Sequence, residues 1–358
     1  AAAALPDSTA CAALVDGHHG NRQPMKKVAW GILSTAKIGR EKVIPAMQAA
    51  EHCDIQAIAS RSLERAQACA RSLGIPRAYG SYEELLADPA IEAVYNPLPN
   101  EQHVPLTLLA ARAGKHVLCE KPMALNASEA AALREVADKV HIMEAFMVRF
   151  HPQWERVRAL VRSGELGPVR AIQSYFSYFN RDAANIRNHR DQGGGALYDI
   201  GCYAIVTARY LFEAEPLRVV ALMDRDPDFG TDRLVSGLVD FGQGRRLDFT
   251  VSTQTAPYQR VNVCGERQRV EVRIPFNAPL GGPTQILRDD GRVLDGSAAH
   301  TETIPACNMY GLQGDIFSRA VRGEIPLPYG LQDAILNMRV IDALFASESS
   351  GGWVSPQA

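Results

Sequence analysis

Lys121, Asp199 and Tyr203 have types and surroundings suited to moving a proton. Lys121 follows the apolar run His116-Val-Leu-Cys119 in the tripeptide Glu120-Lys121-Pro122. Open α/β sheets hold ligands at the carboxyl ends of their strands. A Lys there, followed by a rigid Pro, presents a fixed ammonium to a substrate oxygen. Asp199 and Tyr203 stand four residues apart in Gly193-Gly-Gly-Ala-Leu-Tyr-Asp-Ile-Gly-Cys-Tyr203, which reads as the opening of a helix. Such a pair shares one helix face, about 6 Å apart. A phenol with a free pKa of about 10 is a poor base at neutral pH. A nearby ammonium favours the phenolate. Lys121 and Tyr203 together read as a proton acceptor for a hydroxyl, with Asp199 orienting either one or holding a substrate hydroxyl. Three glycines ahead of the helix allow close backbone approach to a ligand at its N-terminus. The blander alternatives are a surface Glu-Lys pair and a core tyrosine.

The hydropathy pattern supplies the scaffold. From Lys26, strands are expected at 28–33, 55–60, 79, 93–96, 116–119 and 141–144. Helices are expected at 38–50, 63–73, from Ser81, at 103–113 and at 128–139. Alternation of this kind is the cadence of a doubly wound parallel sheet. The rhythm then breaks. An aromatic strand is expected at 170–179, one helix at 195–212, and strand-like runs at 218–223, 234–241, 246–253, 260–265 and 269–274. Strands without intervening helices predict a mostly antiparallel second sheet. The Gly-, Pro- and Asp-rich segment 278–309 reads as loop, and helices follow at 310–322 and 331–345.

The first strand runs into Ser34-Thr-Ala-Lys-Ile-Gly39. A dinucleotide fold wants G-x-G-x-x-G at this turn, so that the backbone and a helix N-terminus approach the pyrophosphate. Ser34, Ala36 and Gly39 hold the three positions. All are small, yet the fingerprint is degraded, and a tight turn without a ligand is the alternative. An NAD enzyme places an acid at the end of the second strand. Here the chain reads Ala59-Ser60-Arg61-Ser-Leu-Glu-Arg65. Arg binds phosphate through a planar fork of donors, so the expected cofactor is NADP. The alternative for Arg61 and Arg65 is a solvated helix face.

The chain has 358 residues, about two domains at roughly 150 residues each. Its formal charge of -2 lacks the footprint of a nucleic-acid or anionic-membrane binder. A 46% hydrophobic composition excludes wholesale disorder, and no apolar run approaches the roughly 20 residues of a membrane span. Cysteines at 11, 53, 69, 119, 202, 264 and 307 are scattered singly, against a disulfide framework or a structural zinc site. No metal is expected, and reduced, mostly buried thiols are. They favour the cytoplasm. The stretch 1–25, rich in Ala, Gly and His, reads as an arm, either a cloning remnant or the mature end of an exported protein, in which case the periplasm is the alternative.

Over residues 26–350 these stretches, with Ala93-Val-Tyr-Asn-Pro-Leu-Pro-Asn100 and Met143-Glu-Ala-Phe-Met-Val-Arg149, resemble the Gfo/Idh/MocA family of glucose–fructose oxidoreductase, inositol dehydrogenase and rhizopine catabolism. The resemblance implies an α/β Rossmann domain at 26–147. It also implies an α+β domain at 148–358 with an open, mostly antiparallel sheet and a C-terminal helix packing back on the first domain. That sheet would carry a homodimer or homotetramer interface. The family's catalytic lysine falls on Lys121, its Asp on Asp199 and its acid/base residue on Tyr203. Tyr rather than His there is similar to the branch of glucose–fructose oxidoreductase, xylose dehydrogenase and dimeric dihydrodiol dehydrogenase, which uses NADP. Cofactor contacts are implied at Ser34, Thr35, Ala36, Lys37, Ile38, Ser60, Arg61, Arg65, Pro99, Asn100, His103, Glu120 and Lys121. Substrate contacts are implied at Lys121, Arg149, Asn185, Arg187, Asp199 and Tyr203. The activity implied is oxidation of an aldose at C1 to an aldonolactone. The cofactor is either released each cycle or retained to reduce a second sugar. A dihydrodiol dehydrogenase, with its pocket lined by Tyr175-Phe-Ser-Tyr-Phe179, and a non-catalytic NADP sensor are the alternatives.

Overall fold

The computed structural model describes residues 26–356. The expected arm, 1–25, and Cys11 lie outside the described residues. The chain forms two sheets. The first holds β1 (Val28–Leu33), β2 (Cys53–Ala59), β3 (Arg77–Tyr79), β4 (Ala93–Asn96), β5 (His116–Cys119) and β6 (Ile142–Glu144). All pairings are parallel, in the order β3-β2-β1-β4-β5-β6. β1 and β4 are almost wholly buried, as strands covered on both faces must be. The direction of winding reverses between β1 and β4, which opens a crevice at the carboxyl ends of these strands.

Helices α1 (Ile44–Gln48), α2 (Leu63–Leu73), α3 (Tyr82–Ala87), α4 (His103–Arg112) and α5 (Ala127–Ala131) cover this sheet. Local chemistry sets their ends. Ser62 Oγ accepts from Arg65 N, and α2 stops at Gly74 with φ of 66°. Ser81 Oγ accepts from Glu84 N, while the Glu84 carboxylate reaches back to Gly80 N. The first expected helix starts as a π-helical turn, Gly39–Val43, before α1. The helix expected over 128–139 is shorter: α5 passes into a 3-10 turn at Ala132–Glu135. Leu133 and Val136 are both buried, and three-residue winding keeps them on one side.

Helix α6 (Pro152–Arg162) was not foreseen, although Pro152 at its first turn and buried Trp154, Val157 and Leu160 carry its signal. It leads to β7 (Val169–Phe179), then α7 (Cys202–Phe212). Strands β8 (Arg218–Arg225), β9 (Asp232–Gly242), β10 (Arg245–Ser252), β11 (Gln254–Gly265) and β12 (Arg269–Val272) follow. β13 (Thr284–Asp289) and β14 (His300–Ile304) form an antiparallel hairpin inside the segment read as loop. The second sheet has the order β14-β13-β12-β11-β7-β10-β9-β8, and only β7 with β10 is parallel among its pairings. Every residue of α7 is buried.

The last helices tie the two sheets together. On α8 (Met309–Val321), Ser318 Oγ accepts from Trp30 Nε1 at 3.1 Å and Asp315 Oδ1 accepts from His52 N at 2.7 Å. On α9 (Leu331–Ser350), Asp342 accepts from Ala127 N and Ser347 Oγ accepts from Ala221 N. Among the described residues no helix is long and apolar enough to cross a membrane.

Candidate active site

A cavity of about 330 Å³ lies where the carboxyl edge of the first sheet meets β7 and the start of α7. Lys121 enters from the end of β5; Asp199 and Tyr203 enter from the opposite wall. The helix expected over 195–212 begins there as a π-helical turn, Leu197–Gly201, and becomes α-helical at Cys202.

Asp199 is the hub. Its Oδ2 accepts from the Tyr178 hydroxyl at 2.6 Å and pairs with Arg187 Nε at 2.9 Å. Lys121 Nζ donates to the Asp199 carbonyl oxygen at 2.6 Å and lies 3.4 Å from Oδ1. Burial works against the Asp199 charge, but Arg187 and Lys121 outweigh it and hold the carboxyl well below the usual range. Burial also works against the Lys121 charge, and Asp199 chiefly reverses this, so the amine stays an ammonium. Glu120 is raised by burial, against a 2.6 Å bond from the Tyr95 hydroxyl.

Tyr203 meets Lys121 differently from the sequence expectation. Lys121 Nζ sits 4.8 Å from the ring centroid, over the face of the ring. The hydroxyl donates to Met147 Sδ at 3.6 Å, and Phe146, Phe176 and Phe276 pack around the ring. Burial pushes the phenol well above its ordinary value. The expected lowering by the ammonium is therefore overturned for the cavity as it stands. Desolvation of a phenolate among three aromatic rings exceeds what a cation over the ring returns.

The other expected residues divide. Ile38, Asn100, His103, Glu120 and Arg187 line the cavity. His103 is buried, and its two ring nitrogens face Pro122 O and Leu98 O at 2.7 Å each. Burial lowers it to about 4. The neutral ring has one N–H, which donates to one of these two carbonyls and ties His103 to backbone. Pro99 precedes the 3-10 turn at Asn100, and Pro97 and Leu98 face the cavity in its place. Arg149 does not reach the cavity. It is buried, pairs with Asp333 at 2.5 Å and stacks on Tyr329 with its guanidinium carbon 3.7 Å from the ring centroid. The 3-10 turn Met147–Phe150 directs it toward α9. Asn185 is also away from the cavity; its Oδ1 caps the turn by accepting from Arg187 N at 3.1 Å.

The three glycines divide: Gly193 lines the cavity, as expected, whereas Gly195 abuts Asp232. The amide of Leu197 donates to Asp232 Oδ2 at 2.7 Å, so the protein's own carboxylate occupies the helix start where a ligand was expected.

Ser34, Thr35, Ala36 and Lys37 lie at the end of β1, and Ser60, Arg61 and Arg65 at the end of β2, along the same edge of the sheet. Ser34 has φ of 99°, a conformation natural to Gly, and its Oγ accepts from Ala36 N at 3.1 Å. A side chain that makes a local bond thus replaces the first glycine of the fingerprint. Ser60 Oγ accepts from Ser62 N. Arg61 and Arg65 are exposed, and among the described residues neither has a carboxylate partner. Two unpaired guanidinium groups at a strand end suit a phosphorylated ribose, so the residues present fit the expected dinucleotide.

Of the expected aromatic stretch 175–179, Phe176 and Tyr178 line the cavity and Tyr175 and Phe179 do not; sequence reasoning missed Gln192, Asn180, Asn277 and Tyr310, all on the cavity wall. The period of two along β7 places Phe176 and Tyr178 on one face, a signal available from sequence. Gln192 and Asn277 sit in loops, where no pattern marks them.

Comparison with known proteins fits this geometry. Residues 28–150 match the family model described as an oxidoreductase family with an NAD-binding Rossmann fold, and residues 154–271 match the GFO/IDH/MocA C-terminal domain. The chain is 42% identical to D-xylose 1-dehydrogenase (NADP(+)) 2 of Haloferax volcanii, over 91% of this chain and 98% of the relative. It is 34% identical to trans-1,2-dihydrobenzene-1,2-diol dehydrogenase of Mus musculus, over 72% of this chain and 77% of that protein. The crystal structure of aldose–aldose oxidoreductase from Caulobacter crescentus complexed with glycerol superposes with a TM-score of 0.84 at 28% identity, covering 92% of this chain and 100% of that one. A parallel sheet with its crevice at Lys121, an open second sheet, and matches across both halves make this chain a member of the GFO/IDH/MocA oxidoreductases.

Proposed function

We propose that the chain is an NADP-dependent aldose dehydrogenase that oxidises a sugar at C1 to its lactone. The convergence of Lys121, Asp199 and Tyr203 carries this reading, in a cavity whose wall also holds the amides Asn100, Asn180, Gln192 and Asn277. Amides donate and accept, which suits a polyhydroxy ligand. Bound NADP supplies the hydride acceptor. Lys121 keeps a positive charge beside the reacting oxygen and favours the alkoxide that develops there. Tyr203 takes the hydroxyl proton as the C1–H bond breaks, and returns it when the reaction runs toward the sugar. Asp199 holds Lys121 and Arg187 in place. Identity to the xylose dehydrogenase over nearly its whole length supports the aldose reading.

The test is a panel of aldoses and cyclic diols with NADP and with NAD, followed by reduced-nicotinamide absorbance. Turnover of aldoses with NADP is expected. Turnover of trans-diols alone would transfer the site to the second reading, which the aromatic wall of Phe176 and Tyr178 and the diol dehydrogenase relative favour. Similarity to the aldose–aldose oxidoreductase supports a mode in which the nucleotide stays bound between two sugars. Nicotinamide absorbance that follows the protein through gel filtration would support retention. The outward face of the second sheet, where Tyr175 and Tyr258 meet edge to face at 5.6 Å, is proposed to pair with a second copy. Tyr258→Glu should then lower the mass measured by light scattering.

A further inference from the structure

The helix that presents Asp199 and Tyr203 is anchored from β9. Asp232, the first residue of β9, is 2% exposed, and its Oδ2 accepts from Leu197 N at 2.7 Å. Among the described residues no lysine or arginine forms an ion pair with it; its hydrogen-bond partners are backbone amides, including that of Ala196, and Arg225, itself paired with Glu348, adds a favourable charge nearby. Burial raises its carboxyl to about 6, and those amides oppose the rise, so it is ionised above neutrality. A carboxylate at the positive end of a helix both satisfies free N–H groups and interacts favourably with the helix dipole.

Gly195 makes this contact possible. Its φ is 118°, and a Cβ there would collide with Asp232 Oδ1. The same glycine donates its N–H to the Arg187 carbonyl at 2.9 Å. One turn therefore joins the cap on β9, the segment carrying Arg187 and the first residues before Asp199. The turn passes from an α-type bond, Asp199 N–H to the Gly195 carbonyl at 3.1 Å, into the π-helical winding of Leu197–Gly201. The Asp232 carboxylate holds the start of this change of winding from outside the helix.

We infer that Asp232 is a positioning residue for the proposed hydride-transfer site: its carboxylate, admitted by Gly195, fixes the turn that brings Asp199 and Tyr203 to Lys121. The inference rests on the dehydrogenase reading. Asp232 touches no substrate; it acts through Leu197.

Two variants reach the anchor independently. Asp232→Asn turns an amide donor toward backbone donors. Gly195→Ala displaces the same carboxylate by steric contact. The readouts are kcat, the KM for sugar, the KM for NADP, and amide hydrogen exchange across 196–204. A misplacement of about 1 Å costs about a hundredfold in rate, so Asp232→Asn should lose kcat on that scale while the KM for NADP stays unchanged. Exchange should quicken across 196–204 and not in β1–β6. The double variant should lose no more than the worse single one. If Gly195→Ala does not fold, Asp232→Asn alone decides. Faster exchange with unaltered kcat would overturn the inference, as would a loss spread equally over NADP binding. Absence of sugar oxidation by the wild-type enzyme would instead sink the parent reading, with the exchange result still measuring the anchor.

Discussion

Replacing Arg61 and Arg65 by alanine should weaken NADP binding and leave NAD binding where it is. Both side chains are exposed and without carboxylate partners among the described residues, so their charges are available to a ligand. A hydrogen bond to a charged group contributes about 1.5–3 kcal/mol. Exposure to water argues for the lower end, about 1.5 kcal/mol each, or about tenfold in Kd. If each guanidinium holds a separate phosphate oxygen, the double variant loses about a hundredfold; shared oxygens make the loss smaller than the product. The difference should narrow as salt rises, because the screening length falls to about 8 Å at physiological ionic strength. Stability should stay within about 0.5 kcal/mol, since neither side chain packs and the Ser62 cap uses only the Arg65 backbone. Titration with NADP and with NAD, followed by intrinsic fluorescence, gives both constants. Undiminished NADP affinity in the double variant refutes the reasoning, and so does an equal loss for NAD.

Tyr203→Phe should lower kcat by about 10²–10⁴, the usual contribution of a positioned acid or base. Its melting temperature should barely move, because the hydroxyl bonds only a thioether; full turnover would exclude Tyr203 as the proton carrier. Burial holds Tyr203 protonated at neutral pH. The rate of oxidation should therefore climb with pH as the phenolate fraction grows, whereas reduction, which uses the protonated phenol, should not. A flat oxidation profile from pH 7 to 9 would count against this. Burial also raises Glu144 to about 8, Asp333 adds to the rise and Arg149 opposes it. A carboxyl that holds its proton more tightly when folded stabilises below its unfolded pKa, and that contribution is lost as pH rises from 4.5 toward 8. The loss amounts to at most about 1.4 kcal/mol per pH unit. Glu144→Gln keeps an acceptor for Met123 N–H and removes the titration. Scanning calorimetry should show it melting above wild type at pH 8, with the gap closing toward pH 4.5; a gap independent of pH would refute the assignment.

The two-sheet architecture and the Lys121–Asp199–Tyr203 cluster were legible because they rest on short-range signals. Buried strands such as Ala93–Asn96 read as apolar runs, and Gly74 and Ser81 mark helix ends. The hairpin of β13 and β14 was not legible. β14 is largely exposed, and polar Thr284 and Asp289 hold two of the buried positions in β13, so neither strand shows the apolar alternation of a half-buried strand. Arg149 went astray for another reason. Its place after β6 suggested the cleft, but a 3-10 turn rotates it toward Asp333, far along the sequence. The glycines before α7 were visible, and Gly193 meets the cavity as read, but the reason for Gly195 was not legible, since Asp232 lies on a strand whose pairing the sequence does not state.

The hydrogen bonds around Tyr203 and Lys121 indicate which group the site leaves for the substrate. Lys121 is engaged twice by Asp199, and Asp199 twice more by Arg187 and Tyr178. Both carboxylate oxygens are thus engaged, while Lys121 keeps a third N–H. The Tyr203 hydroxyl, buried among aromatic rings, has only a sulfur acceptor at 3.6 Å. A thioether is a weak acceptor, so the hydroxyl can exchange it for an oxygen at little cost. A sugar hydroxyl entering the cavity can replace that sulfur at Tyr203, and the unpartnered Gln192 Oε1 on the same wall offers a further acceptor for a second hydroxyl. The incoming oxygen is thus drawn to the phenol, while the ammonium over the ring, fixed by Asp199, supplies charge without exchanging a proton. On this arrangement Lys121 acts through its field and Tyr203 through its proton. Loss of either should therefore leave different pH profiles behind.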